Sequence, residues 1–133
     1  MKKILIAIWL VISMMNTPLA IAQPYVRSEN RLGEIISEQE IDSLIPKYLS
    51  SRQRYQIKRT LYCESGYHNI QSKIVKDGVR ENSWGVAQIN LTYNPQVSKE
   101  QALNPRFAIY FMSKHWNDIA WYGYDRKTDE CNV

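Results

Sequence analysis

The sequence has few of the residues that metal-binding and nucleic-acid-binding proteins require. It contains two histidines and two cysteines in 133 residues. Because His68 and His115 are isolated from one another, no metal site is expected. Charges of both signs are interspersed at a formal net charge of +4, so there is no basic stripe for nucleic acid and no nucleic-acid partner is expected. The chain also lacks internal repeats and low-complexity tracts, which leaves one small domain.

The longest apolar run lies at the N-terminus and is too short to cross a bilayer, which takes roughly 20 residues. Lys2 and Lys3 precede it, and the small residues Ala20 and Ala22 follow it. This order is typical of a secretory signal peptide. We therefore predict a signal peptide at residues 1 to 22 that is cleaved on export, with no stable membrane insertion afterwards. The predicted location is the bacterial periplasm or the cell exterior, for a gene carried by a bacterium, a phage or a plasmid. An uncleaved anchor is the alternative.

The mature chain divides into a polar lead-in at residues 23 to 36 and one domain at residues 37 to 133. Without the two N-terminal lysines its net charge falls to about +2, which weakly favours an anionic partner such as a cell-wall polymer. An ordinary soluble surface would carry the same charge.

Both cysteines, Cys63 and Cys131, lie in the mature chain. Export permits a disulfide, and a pair of cysteines in an exported domain favours bonding. The bond would hold the end of the chain against the segment around Cys63 and stabilise the fold by roughly 4 kcal/mol in the loop-entropy model. Two free thiols, or a Cys63 that only packs, are the alternatives.

Capping patterns place three helix starts. Ser37 and Ser98 are each followed three residues later by Glu or Gln, which is the capping-box pattern. Asn104 precedes a proline, as at many helix starts, and its helix is expected to run to near Gly123. The buried stripe of that helix consists of Ala108, Phe111, Met112, His115 and Ile119. The sequence therefore predicts mostly helices with at most a minor β element.

One acid lies on the apolar face of another helix, predicted at residues 51 to 65. Ile57, Leu61 and Glu64 share this face, and Gly66 is placed to end the helix. Burial and the negative end of the helix dipole both favour a protonated carboxyl. An acid that keeps its proton near neutral pH can protonate a leaving group. An exposed glutamate in a frayed last turn is the alternative.

Glu64 belongs to the first of three sequence motifs. ESG at residues 64 to 66 is followed by SWGVAQIN at residues 83 to 90 and by VSKEQALNPRFAIYFMSKHW at residues 97 to 116. Together they resemble the lytic transglycosylase and goose-type lysozyme superfamily over residues 56 to 124. The resemblance implies a mainly α, lysozyme-like α+β fold with the catalytic glutamate at a helix C-terminus.

The resemblance also implies roles for single residues. Glu64 would be the catalytic acid and base that cleaves the β-1,4 bond between N-acetylmuramic acid and N-acetylglucosamine in peptidoglycan, with a 1,6-anhydro product and no metal or organic cofactor. Gly85 would let backbone approach the sugar closely, since it has no Cβ. The predicted substrate-binding residues are Ser65, Ser83, Gly85, Gln88, Asn90 and Tyr93.

Two alternatives stay open. An inverting lysozyme-type hydrolase needs a second carboxylate about 6.5–9.5 Å from the first, and Asp77 and Glu81 are the candidates, unless they are solvated loop charges. A catalytically weak peptidoglycan-binding module is the other alternative, because the chain lacks the AYNAG-like segment that brings a tyrosine to the acid in fuller transglycosylase domains; AWYGYD at residues 120 to 125 matches it poorly. The small size suggests a local task, such as opening the wall for an envelope-spanning secretion or conjugation machine.

Overall fold

A computed structural model of the chain describes residues 31 to 118 and 121 to 132. The predicted signal peptide, most of the lead-in and Ile119 lie outside these residues. The helices are α1 (Glu38–Leu44), α2 (Ser51–Ser65), α3 (Lys99–Ala102) and α4 (Pro105–Lys114). The strands are β1 (Val75–Lys76), β2 (Val79–Arg80), β3 (Ser83–Trp84), β4 (Ile89–Asn90), β5 (Tyr124–Asp125) and β6 (Glu130–Cys131).

The prediction of a mainly α, lysozyme-like fold with at most a minor β element is wrong. Helices make up 36% of the described residues, and strands together with isolated β-bridges make up 15%. The strands form three two-stranded antiparallel sheets, β1–β2, β3–β4 and β5–β6. Each strand has only two residues, which is too short for an alternating apolar pattern to appear in the sequence. The sheets depend instead on their turns. Asp77 and Gly78 both have positive φ, 51° and 76°, as a tight turn between β1 and β2 requires.

Helix α2 has the predicted bounds. Ser50 and Gln53 form a reciprocal capping box at its start, and Gly66 ends it with a φ of 60° while donating to the Tyr62 carbonyl. Ile57 and Leu61 are fully buried, so the face that carries Glu64 is the one that meets the core. None of the helices in the described part of the chain is long and apolar enough to cross a membrane.

The capping prediction for α1 is correct in one half only. Ser37 accepts the Glu40 amide, but the Glu40 carboxylate pairs with Arg31 instead of returning to the Ser37 amide. Arg31 lies before α1, outside the four residues of the predicted capping box, so the box could not indicate this pair. At α3 the full box between Ser98 and Gln101 is present.

Helix α4 begins at the predicted N-cap but ends at Lys114, well before Gly123. Just beyond this end the C-terminal hairpin meets the chain: the Arg126 guanidinium lies 3.9 Å from the centre of the Trp116 ring and donates to the Trp116 carbonyl at 2.8 Å. His115, the C-cap, has a φ of -103° and a ψ of 23°, and its amide donates to the Phe111 carbonyl. His115 is therefore a half-buried helix cap and not part of a continuing stripe.

The core joins the helices to the turn at residues 85 to 88. Helix α4 packs on α1 and α3, while β5 packs on α2. Asn69, fully buried, connects two of these parts, since its side-chain nitrogen Nδ2 donates to the Leu103 carbonyl and its Oδ1 accepts a hydrogen bond from the Val86 backbone amide. Members of the core include Ile41, Ile57, Leu61, Val86, Ile109 and Met112.

Candidate functional site

Glu64 lies in the last full turn of α2 and is half-buried. Its Oε1 accepts a hydrogen bond of 2.9 Å from the Gly123 amide, which comes from the other end of the chain. Among the described residues, none donates to its other oxygen, Oε2. One carboxyl oxygen is thus held, while the second is free to carry or receive a proton.

The pKa of Glu64 is raised above its ordinary value. Burial is the largest cause, and the negative charge of Glu81 adds to it, whereas the hydrogen bond from Gly123 acts in the opposite direction. Glu64 therefore keeps its proton to a higher pH than a solvated glutamate does. The shift is in the direction that a general acid requires.

Glu81 is one of the two residues that the sequence offers as a second carboxylate, and its role in a reaction stays a prediction. It lies between β2 and β3, where its Oε2 accepts a hydrogen bond of 2.9 Å from the Ser72 hydroxyl and its Oε1 lies 3.5 Å from the Asn90 amide nitrogen. Its charge acts on Glu64. Asp77, the other candidate, is exposed at the tip of the β1–β2 hairpin and is not among the charges that shift the pKa of Glu64.

Ser65 connects the end of α2 to the turn at residues 85 to 88. Its Oγ lies 2.7 Å from the Val86 carbonyl and 3.2 Å from the Leu61 carbonyl, so its proton is used inside the protein. The ESG and SWGVAQIN motifs, separate in sequence, are therefore in direct contact beside Glu64. The role of Ser65 toward a substrate stays a prediction.

The polar residues of the SWGVAQIN motif also bond within the protein. Gln88, at a φ of 49°, donates to the carbonyls of Ile70 (3.0 Å) and Gly85 (2.8 Å). Asn90 Oδ1 accepts amides at the start of the next turn, and Ser83 is buried opposite Asn90 in the β3–β4 pair. These side chains shape the loop, and their predicted contacts with a glycan stay predictions.

Gly85 adopts a φ of 81°, and a Cβ at this position would lie 1.8 Å from the Ala102 carbonyl oxygen. The sequence predicts a close backbone approach here. In the structure the approaching backbone is that of α3. Gly85 therefore fits the turn onto the core behind the site, and its predicted approach to a sugar stays a prediction.

Gly85→Ala is expected to lower the free energy of unfolding by about 3 kcal/mol, because a left-handed φ and a backbone collision add. Urea denaturation would measure the loss. Gly78→Ala is the matched control, since Gly78 also has a positive φ but a Cβ added there would meet nothing within 4 Å. Equal losses in the two variants would rule out the collision as the cause.

Two exposed tyrosines flank this site in the sequence. Tyr93 follows the Asn90 turn and Tyr122 precedes Gly123, and each is 82% exposed. Tyrosine rings at a wet cleft suit the C–H faces of sugars. Tyr93 is one of the predicted substrate-binding residues, and the structure leaves it free to act in this way.

The disulfide between Cys63 and Cys131 is present, as the sequence predicts. It holds the β5–β6 hairpin beside the end of α2. Gly123 is not among the site residues that the sequence predicts, although the predicted disulfide already implies that the end of the chain lies near residue 63. The sequence does not predict the hairpin itself.

A separate surface depression of about 440 Å³ does not include Glu64. Its lining residues are Glu38, Tyr55, Lys58, Arg59, Tyr62 and Tyr67. In the described ranges, no group of three or more His, Cys, Asp or Glu side chains is placed to bind a metal ion. No protein-family model matches the sequence, and no curated protein and no solved structure is significantly similar to it.

Proposed function

We propose that this protein cleaves the glycan strands of peptidoglycan as a lytic transglycosylase, with Glu64 as the acid and then the base. The observation that carries the proposal is the state of Glu64: half-buried, held by one oxygen, with a raised pKa, and beside a turn whose sequence resembles that of the family. No other acid of the described chain combines these features.

The chemistry requires one carboxyl group. Protonated Glu64 gives its proton to the glycosidic oxygen as the bond to C1 of N-acetylmuramic acid breaks, through an oxocarbenium-like state. The carboxylate that remains then takes the proton of the C6 hydroxyl, whose oxygen bonds to C1. The product carries a 1,6-anhydro ring, Glu64 is protonated again, and no cofactor takes part.

Glu81 supports hydrolysis as the second candidate function. An inverting hydrolase uses a second carboxylate to activate water on the far face of the sugar. Glu81 is close enough to raise the pKa of Glu64, and Ser72 holds its carboxylate in place. In that mechanism a water oxygen, not the C6 oxygen, bonds to C1.

The site of action that we propose is the periplasm or the cell exterior. The signal-peptide pattern at the N-terminus supports export, and the Cys63–Cys131 bond fits an oxidising compartment. A small wall-opening enzyme would suit an envelope-spanning secretion or conjugation machine as its partner.

The test is product analysis. Purified peptidoglycan digested with the wild-type protein is expected to give soluble fragments with 1,6-anhydro ends by mass spectrometry. Fragments about 18 Da heavier, with reducing ends, would indicate hydrolysis instead, because water is added. If no fragments appear while the protein still sediments with the wall, the protein is a peptidoglycan-binding module and not an enzyme.

A further inference from the structure

The C-terminal segment, residues 121 to 132, is fixed to the rest of the protein at several points. The disulfide joins Cys131 to α2, and the Trp121 indole donates to the Ala87 carbonyl at 3.1 Å. Asn132 closes the segment on itself, since its backbone amide donates to the Gly123 carbonyl at 2.9 Å and its side chain donates to the Tyr122 carbonyl at 2.6 Å. Anchors therefore lie on both sides of Gly123.

Asp129, at the turn of the hairpin, provides a further anchor. Its carboxylate accepts hydrogen bonds from the hydroxyls of Tyr55 on α2 (2.7 Å) and Tyr124 on β5 (2.8 Å). These bonds, that from Tyr55 first, hold the pKa of Asp129 below its usual value, so the carboxylate stays charged. Arg59 on α2 donates to the Asp129 carbonyl at 3.3 Å. The hairpin is thus attached along α2, the helix that carries Glu64.

Gly123 lies so close to the Glu64 carboxyl that a side chain at position 123 would have to displace it by a few tenths of an ångström. A Cβ there would be 3.0 Å from Glu64 Cδ and 3.1 Å from Oε1. Unlike Gly85, Gly123 has no positive φ, so its backbone conformation suits any residue. The close approach to Glu64 is therefore the feature of this position that calls for glycine.

We propose that Gly123 is a positioning residue for Glu64, and that the C-terminal segment serves to aim its amide at the carboxyl. The proposal rests on the proposed function for its catalytic meaning, but the contact can be tested without turnover.

The hydrogen bond from the Gly123 amide lowers the pKa of Glu64. An N–H that bonds to the carboxyl favours its charged form, whereas burial and the charge of Glu81, the charged group that acts on Glu64, favour the neutral form. Loss of the bond should therefore raise the pKa of Glu64 further. A loss of stability alone would not move it in this way.

The contact is tested first in the wild-type protein by NMR. The Gly123 amide proton is expected to shift with pH at the pKa of Glu64, measured from the Glu64 carboxyl carbon, and the shift should vanish in Glu64→Gln. A Gly123 amide that does not titrate with Glu64 would overturn the proposal, whether or not the protein is an enzyme.

Gly123→Ala tests the consequence. Its turnover of purified peptidoglycan is expected to fall by up to about 10-fold, because the added Cβ displaces the Glu64 carboxyl by less than the roughly 1 Å that costs about 100-fold. The alkaline limb of its pH profile should move to higher pH. Gly78→Ala, distant in the β1–β2 turn, should keep the wild-type limb. A wild-type rate and limb in Gly123→Ala would refute positioning, whereas a wild-type protein that is inactive but titrates as described would refute only the proposed function.

Discussion

Glu64→Gln is expected to reduce the release of soluble fragments from purified peptidoglycan by about 10²- to 10⁴-fold, the range that general acid–base catalysis supplies. Glutamine keeps the size of the side chain and an oxygen that can accept a hydrogen bond from the Gly123 amide, but its amide is not acidic enough to protonate the leaving oxygen. The assay is turbidity loss together with chromatography of the released fragments.

Glu100→Gln is the matched control, because Glu100 is an exposed glutamate of α3 and its loss should leave the rate unchanged. Glu81→Gln separates the two candidate reactions: it should abolish hydrolysis, whereas transglycosylation needs no second carboxylate. If Glu64→Gln retained the wild-type rate, Glu64 would not be the acid, and the proposed function would lose its central residue.

Removal of the disulfide is expected to have the largest effect on stability. The bond closes a loop across 68 residues of sequence, so the double variant Cys63→Ala, Cys131→Ala should lose about 4 kcal/mol in the free energy of unfolding. Most of this loss comes from the greater freedom of the unfolded chain. Urea unfolding of the oxidised protein and of the variant measures this loss. The dependence of the free energy of unfolding on urea concentration is fitted in the same way for both.

Reduced wild-type protein is the control for this prediction. It should unfold at the same urea concentration as the double variant, and at a lower one than the oxidised protein. A reductant should leave the double variant unaffected. Equal stability of oxidised and reduced protein would mean that the disulfide contributes nothing measurable to the fold.

Local signals in the sequence are sufficient where a few neighbouring residues decide the structure. The bounds of α2 follow from an apolar face and a terminal glycine, and the start of α4 follows from Asn104 and its proline. The inward position of Glu64 follows in the same way from Ile57 and Leu61. Each of these features is settled within one or two helical turns.

Features that depend on distant contacts cannot be predicted in this manner. The contact between Arg126, in the C-terminal hairpin, and Trp116, just beyond α4, has no local signal, and two-residue strands leave no periodic pattern. The role of Gly85 in packing against α3 and that of Gly123 against Glu64 likewise involve partners far along the chain. Two long-range proximities are indicated in advance: that of the two cysteines, from their number, and that of the ESG and SWGVAQIN motifs, from the resemblance.

The hydrogen bond between Gly123 and Glu64 joins residues 59 positions apart, so its two partners are synthesised at different times. Synthesis proceeds from the N-terminus, so the carboxyl of Glu64 is made long before the amide that aims it. Nascent chains that stop short of residue 123 carry the acid without its positioning contact. An enzyme built in this way would become competent only in its last stage of assembly, when the final residues have been added.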